Sequence, residues 1–486
     1  MAGCVNRGCS FADRLWMAQP AGIEGRFWFF FSSSLGIEDS GFRMSNRGVC
    51  TFCGLLCGDI DFSAKPSTQT CPKAAAGWLA AQPSSNSNLS SLQSGISISR
   101  QQALEGVAKL FSSSRRPLLS GLATDVAGVQ QMVDLASRTS AILDHMHGPA
   151  LQTNLNLLQQ TGLITTTLSE VRFRADAIIL VGDSVLDRFP RLLERIDRSA
   201  ESEGPTYFHG VHSQKAKVVQ LHRHADLPKK QQVSKLPIEY LCAENDSLLE
   251  VLGQIRRKVF GDTCSSVLSE NASAKAHSVN NKVQLIADLI TQSKYSVWIW
   301  SAADFQRPSD DLILDAINEI VHRLNQHRRS VVLPLAGSQG DTTAMQVCTW
   351  KTGFPLRQCF SNGSSHYDPS RYSASAVVSR SECDLLCYVS SFEPIEPSSE
   401  IWDFKGPKIV IGHPALRVAK EADYFIPAGI PGIDHTSHLF RGDSTAVLLA
   451  KAKREALHPS VASIIRELLD LIPDRSSLSV KTPNKV

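Results

Sequence analysis

The 486-residue sequence has no apolar run approaching the roughly 20 residues that cross a bilayer, so no membrane-spanning helix is expected. It has no strong charge of either sign. Its 50 Lys and Arg against 47 Asp and Glu leave a formal net charge of +3, and no basic stripe with interleaved aromatics points to nucleic acid. Cysteine is scarce: 12 residues, unevenly placed, are too few for a secreted disulfide framework. No G-x-S-x-G elbow occurs, so the chain is not expected to supply an acyl-transfer site of its own. No internal repeat is visible, which argues against a solenoid.

What is present is an ordinary globular composition, 42% hydrophobic and 20% charged, on a chain too long for one core. Residues 1–43 differ from the rest. Phe27 to Phe31 form an aromatic run with no helical or strand period, and Arg7, Arg14 and Arg26 are too scattered for a signal peptide. They read as a disordered extension or a mis-assigned start, with translation expected to begin at Met44. Residues 44–110 form a small cysteine-bearing region. Short apolar runs then alternate with helical spacing, the pattern of parallel βαβ layers. Strands are expected near 117–122, 177–183, 218–221, 296–300, 330–333, 385–389 and 408–412, and helices near 101–111, 127–137, 310–326 and 458–471. The expected fold is α/β, with two Rossmann-like domains (111–263 and 294–472) joined by a polar linker (264–293). No C-terminal barrel is expected, and residues 473–486 read as a mobile tail.

Four cysteines fall within 22 residues, at Cys50, Cys53, Cys57 and Cys71, in the spacing C-x2-C-x3-C-x13-C. Soft thiolates placed to converge suit a [4Fe–4S] cluster or a tetrahedral zinc. Zinc sites more often pair two C-x2-C knuckles, so the cluster is the better match; zinc and unoccupied thiols remain the alternatives. Gly54 and Gly58 would let the loop wrap tightly and bring N–H groups near the sulfurs. Such a site implies a reducing compartment, the cytoplasm.

The run Cys50-Thr51-Phe52-Cys53-Gly54-Leu55-Leu56-Cys57-Gly58-Asp59-Ile60 resembles the opening of the B subunit of formylmethanofuran dehydrogenase, within the molybdopterin oxidoreductase superfamily. Cys71-Pro72-Lys73 is similar to that superfamily's fourth cysteine and following lysine, so Lys73 would lie between cluster and pterin. Looser similarities run through His147-Gly148-Pro149, Gly182-Asp183-Ser184 and Phe189-Pro190-Arg191, and closer ones through Thr349 to Pro355, Tyr367-Asp368-Pro369, Ala422 to Pro427 and Gly432-Ile433-Asp434. The resemblance implies a pterin guanine dinucleotide cleft touched by Lys73, Asp125, Gly182, Asp183 and His147. It also implies assembly with an amidohydrolase-like A subunit, the C and D subunits, and a formyltransferase.

The resemblance breaks at the metal. Catalytic members bind molybdenum or tungsten through Cys or selenocysteine in the loop after the first strand beyond the cluster. Here that loop, Ser120 to Gln130, has no cysteine, and none occurs between Cys71 and Cys242. Asp125 is a harder, oxygen-donating substitute, and an Asp just ahead of a helix is more simply an N-cap. Two readings follow. One is a non-redox scaffold in a formyltransferase/hydrolase complex, which releases formate from a methanofuran-like carrier in tetrahydromethanopterin-linked one-carbon metabolism. The other is an active Mo/W oxidoreductase component interconverting CO2 and formate or formylmethanofuran through the cluster. The pairs His145/His147 and His222/His224 lack a matching cysteine or carboxylate and read as polar or pterin-facing rather than as zinc ligands. The loop holding His435, His438, Arg441 and Asp443 is a candidate for contact with an anionic cofactor.

Overall fold

A computed structural model describes residues 47–63, 71–83, 90–197, 216–223, 238–242, 248–261, 274–307, 309–336, 339–361 and 364–473. The extension 1–43, Met44, Cys264, His224, Lys229, Lys230 and the tail beyond 473 lie outside the described residues, as does the side chain of Cys242.

The short apolar runs become strands because each is buried on both faces, the condition of a parallel sheet covered by helices. Ala177–Val181 is buried at all five positions and pairs in parallel with Lys217–His222 on one side and Tyr295–Ser301 on the other. Ile238–Cys242 and Arg329–Leu335 complete a five-stranded parallel sheet, in the order 329–335, 295–301, 177–181, 217–222, 238–242. Period-two alternation divides its faces. Ile178, Leu180, Val297, Ile299, Val331 and Leu333 share a core with the cysteine region, whereas Ile179, Val181, Trp298, Trp300 and Val332 pack against helices on the other face. One covering helix, Ala274–Gln292, occupies most of the stretch expected to be a linker.

A nine-stranded sheet is built around Pro117–Ala123. Its parallel centre runs Ile142–Leu143, Pro117–Ala123, Leu385–Ser390, Lys408–Gly412, Tyr424–Pro427, and antiparallel strands close both edges. Each sheet therefore draws strands from distant parts of the chain, and residues 117–143 pair with residues beyond 357 rather than with 177–242. Among the described residues the architecture is mixed α/β with several sheets and no closed barrel.

Both sheets have a topological switch point. In the smaller it falls between Ala177–Val181 and Tyr295–Ser301, and in the larger between Pro117–Ala123 and Leu385–Ser390. Ligands of open α/β sheets collect beyond the carboxyl ends of strands at such points. The larger one is shaped by backbone conformation: Gly121 and Leu122 have φ of 84° and 51°, and the pairing register shifts between Tyr388 and Ser390. A Cβ on Gly121 would stand 2.3 Å from the Val389 carbonyl oxygen. Gly121→Ala is expected to lower unfolding free energy by about 3 kcal/mol, read from chemical denaturation, because strain and a backbone clash add.

Candidate functional site

The cysteine loop is a tight reversal. Cys50 N–H donates to the Cys57 carbonyl (2.8 Å), and Leu56 takes a left-handed φ of 46° with its N–H toward the Cys53 carbonyl (3.3 Å). Cys71 is the N-cap of helix Pro72–Ala80, with Pro72 in the first turn where a missing N–H is harmless. Loop and helix meet where Phe52 lies against Gly77; a Cβ there would come within 2.2 Å of the Phe52 ring. All four cysteines are buried, in one core with the face of the five-stranded sheet.

Burial raises the Cys50, Cys53 and Cys57 thiols, Cys53 to about 12, and the neighbouring cysteines add to the rise. The opposing donors are the backbones of Phe52 toward Cys50 and Leu55 toward Cys53. Arg191 and Arg195 lower Cys57, and Lys73 lowers Cys53. Among the described residues no three His, Cys, Asp or Glu side chains stand close enough to hold a metal ion.

Arg191 anchors this region. Its buried guanidinium forks onto Asp59 at 2.7 and 2.6 Å and also bonds Glu194, which raises its pKa and holds Asp59 below the ordinary carboxylate range. The fragment Phe189-Pro190-Arg191 stands out in the sequence, but nothing there shows that Arg191 faces the residue two after Cys57.

Lys73 and His147 come together. They line one cavity of about 180 Å³ with Arg188, Ser301 and Asp341. Arg188 Nε donates to Ser184 Oγ, and His147 Nδ1 stands 3.5 Å from Asp341 Oδ2. His145 lies behind, buried and held neutral with its pKa lowered to about 4, its Nε2 at 3.1 Å from the Gln339 carbonyl and its ring centroid 5.5 Å from that of His147. The Gln339 amide also reaches half-buried Glu393, whose pKa burial raises and whose charge interacts with Lys73. Gln339 and Glu393, from loops, and Asp341, at the start of helix Asp341–Thr352, are far from Lys73 in sequence, and no motif marks them.

Gly182 and Asp183 stand at the strand end beside that cavity. Gly182 has φ 107° with Asp304 against it, and Asp183 accepts from Arg223 N–H at 2.8 Å and lies 3.2 Å from His222 Nδ1. Asp125 sits apart, at the larger switch point. It caps helix Val126–Thr139 through Gly128 N–H (2.9 Å), and its other oxygen lies 3.7 Å from His435 Nε2. Beyond His435, Asp434 accepts from Arg454 (2.6 Å), and its charge reaches buried His413, whose pKa burial lowers to about 4. Ring nitrogens of His413, His435 and His458 and the hydroxyls of Thr124 and Ser437 are buried without a hydrogen-bond partner.

No protein-family model matches the chain. Among curated proteins it is 23% identical over 426 residues to the B subunit of a tungsten-containing formylmethanofuran dehydrogenase from Methanococcus maripaludis, covering 83% of this chain and 92% of that one. It is 25% identical over 377 residues to the B subunit of the formyltransferase/hydrolase complex Fhc from Methylorubrum extorquens, covering 77% and 94%. The chain is a homologue of these B subunits. Solved structures agree in fold. A chain of the M. extorquens formyltransferase/hydrolase complex, crystallised with methylofuran, matches at TM-score 0.64 and 22% identity, over 78% of this chain and 98% of that one. Acetylene hydratase from Pelobacter acetylenicus matches at TM-score 0.54 and 10% identity, over 88% and 69%. The chain has Asp125 in a loop without thiolate.

The buried neutral histidines make stability pH-dependent. His413 has a folded pKa below its unfolded value, so above about pH 6.5 neither state is charged and stability is full. As pH falls, the unfolded chain takes a proton that the folded chain refuses. The wild type should lose about 2 kcal/mol between pH 7 and pH 5 that the His413→Gln variant does not lose, measured by denaturant melts at both values.

Proposed function

We propose that this chain is the B subunit of a formyltransferase/hydrolase-type complex in one-carbon metabolism, where it carries a [4Fe–4S] cluster and has no molybdenum or tungsten chemistry of its own. The observation that carries this reading is the loop from Ser120 to Gln130. It has no thiolate, and one carboxylate oxygen of Asp125 caps a helix while the other lies 3.7 Å from His435 Nε2, beyond hydrogen-bond distance. A soft metal bound through a protein sulfur does not fit that loop, so no redox step is derived through it.

The cluster fits the cysteine region. Burial raises the thiols of Cys50, Cys53 and Cys57, a cost that a cationic centre would relieve, and the spacing C-x2-C-x3-C-x13-C suits a cluster better than the paired knuckles of a zinc site. Cys50, Cys53, Cys57 and Cys71 would hold it. Such a cluster supplies one-electron transfer where its surroundings permit, and otherwise ties loop to helix. The chain's own residues screen it: Phe52 and Leu55 offer backbone donors, and Lys73, Arg191 and Arg195 place positive charge nearby.

A pterin dinucleotide also fits, as a bound and catalytically silent group. Lys73, His147 and Arg188 face a cavity at one switch point, and orphaned buried donors and acceptors crowd the other. This second fit keeps the oxidoreductase reading as the alternative. Partner subunits would include the one that performs hydrolysis, since the M. extorquens relative works within a four-subunit complex.

The test is the metal, acid-labile sulfide and pterin content of the complex purified anaerobically from its host. We expect about four irons and four sulfides per chain without molybdenum or tungsten. Stoichiometric molybdenum or tungsten would favour the oxidoreductase reading, and zinc in place of iron would remove the cluster.

A further inference from the structure

Ser437–Phe440 and Val447–Ala450 form a two-stranded hairpin outside both large sheets. Its inner face is fastened down. Leu439 is buried against Leu56, Ala123 and Phe392, Phe440 N–H donates to Thr343 Oγ1 (3.0 Å), and at the turn Gly442 N–H donates to the Gly54 carbonyl (2.7 Å). The hairpin thus roofs a small cavity that also touches Cys53.

The outer face is apolar and open. Val447 and Leu449 are 49% and 45% exposed, paired across from Phe440 and His438. The patch continues onto the end of helix Asp341–Thr352. Trp350, 52% exposed, has its ring centroid 5.9 Å from Phe440, and Phe354, 37% exposed, stacks on Tyr367 at 5.7 Å. Several large apolar side chains half open to water, beside a two-stranded sheet that pairs with no further strand among the described residues, are what an interface leaves behind when its partner is removed. At its margin Lys451 is exposed.

The lengths of related chains indicate what kind of molecule covers it. The acetylene hydratase chain is matched over only 69% of its length, whereas the matched chain of the four-subunit complex is covered to 98%. That matched chain sits among the other subunits of its complex. We propose that the face made by Trp350, Phe354, Val447 and Leu449 is the docking surface for another member of the same complex, one presenting an apolar ridge with an acidic margin. This rests on the B-subunit reading above.

The test tags this chain in its host and identifies by mass spectrometry the subunits that co-purify with wild type, Leu449→Asp, Trp350→Asp and the control Leu285→Asp, a 57% exposed leucine on helix Ala274–Gln292. We expect wild type and control to retain the subunits. Each face variant should lose at least one by about tenfold or more, as a buried charge at an interface core does. Thermal unfolding of the isolated chains should be unchanged by these surface substitutions. Hydrogen exchange on the wild-type complex gives an answer independent of the variants, because residues 437–450 should be protected in the complex and exposed in the free chain. Full retention by both face variants, or no added protection, would overturn the docking surface. A homodimer that the variants dissolve would give the face to a second copy and overturn the occupant. A wild type that brings down no complex subunit would instead remove the B-subunit reading.

Discussion

Four cysteines are pressed into the same core as the apolar face of a parallel sheet, and burial there raises the thiols of Cys50, Cys53 and Cys57. They are desolvated among Phe52, Leu55, Ile178 and their neighbours, and they raise one another. This constraint organises what surrounds it. The loop reverses tightly enough to turn backbone N–H groups inward, helix Pro72–Ala80 starts on the fourth cysteine, and three cations stand within electrostatic reach. Arg191 ties the arrangement to the smaller sheet by a forked bond to Asp59, a charge-assisted pair whose arginine end is buried. A cationic centre bound by the thiols would relieve a penalty that packing alone leaves in place.

Two switch points, one per sheet, carry different chemistry. The smaller sheet contributes Arg188 and Ser301 to a cavity shared with Lys73 and His147. The larger contributes Asp125 and, beyond it, a chain of histidines and carboxylates with unpartnered ring nitrogens. Buried polar atoms without partners are costly, so their concentration at one strand end speaks for a bound polar group or ordered water there. Asp125 itself caps its helix through one oxygen, as capping chemistry predicts for an aspartate between a strand and a helix, and its other oxygen lies 3.7 Å from His435 Nε2.

The strands and most helices are legible because their signals are local. Ala177 to Val181 is apolar at every position, and helix Asp310–Leu324 shows its stripe at Ile313, Ile317, Ile320, Val321 and Leu324. The polar stretch 264–293 looks like a connection because Ser, Asn and Ala dominate its first half. Its second half belongs to the helix that returns the chain across the small sheet. The histidine pairs show the limit of spacing arguments. Spacing alone makes His145 and His147 strand neighbours, yet they occupy a loop end where one ring is buried and the other lines a cavity.

By itself the sequence determined the cysteine set, the lysine after it, the alternation of strand and helix, and the absence of a thiolate from the first strand-to-helix loop. All four are carried by residue type and short spacing. Only the tertiary structure decided that strands 117–123 and 142–143 join strands from beyond residue 357, and that Arg191 meets Asp59. It alone brought Glu393 and Asp341 to Lys73 and His147, and left a hairpin with one face bare. These are contacts between residues up to hundreds of positions apart, set by which apolar faces must cover one another, and no local pattern encodes them.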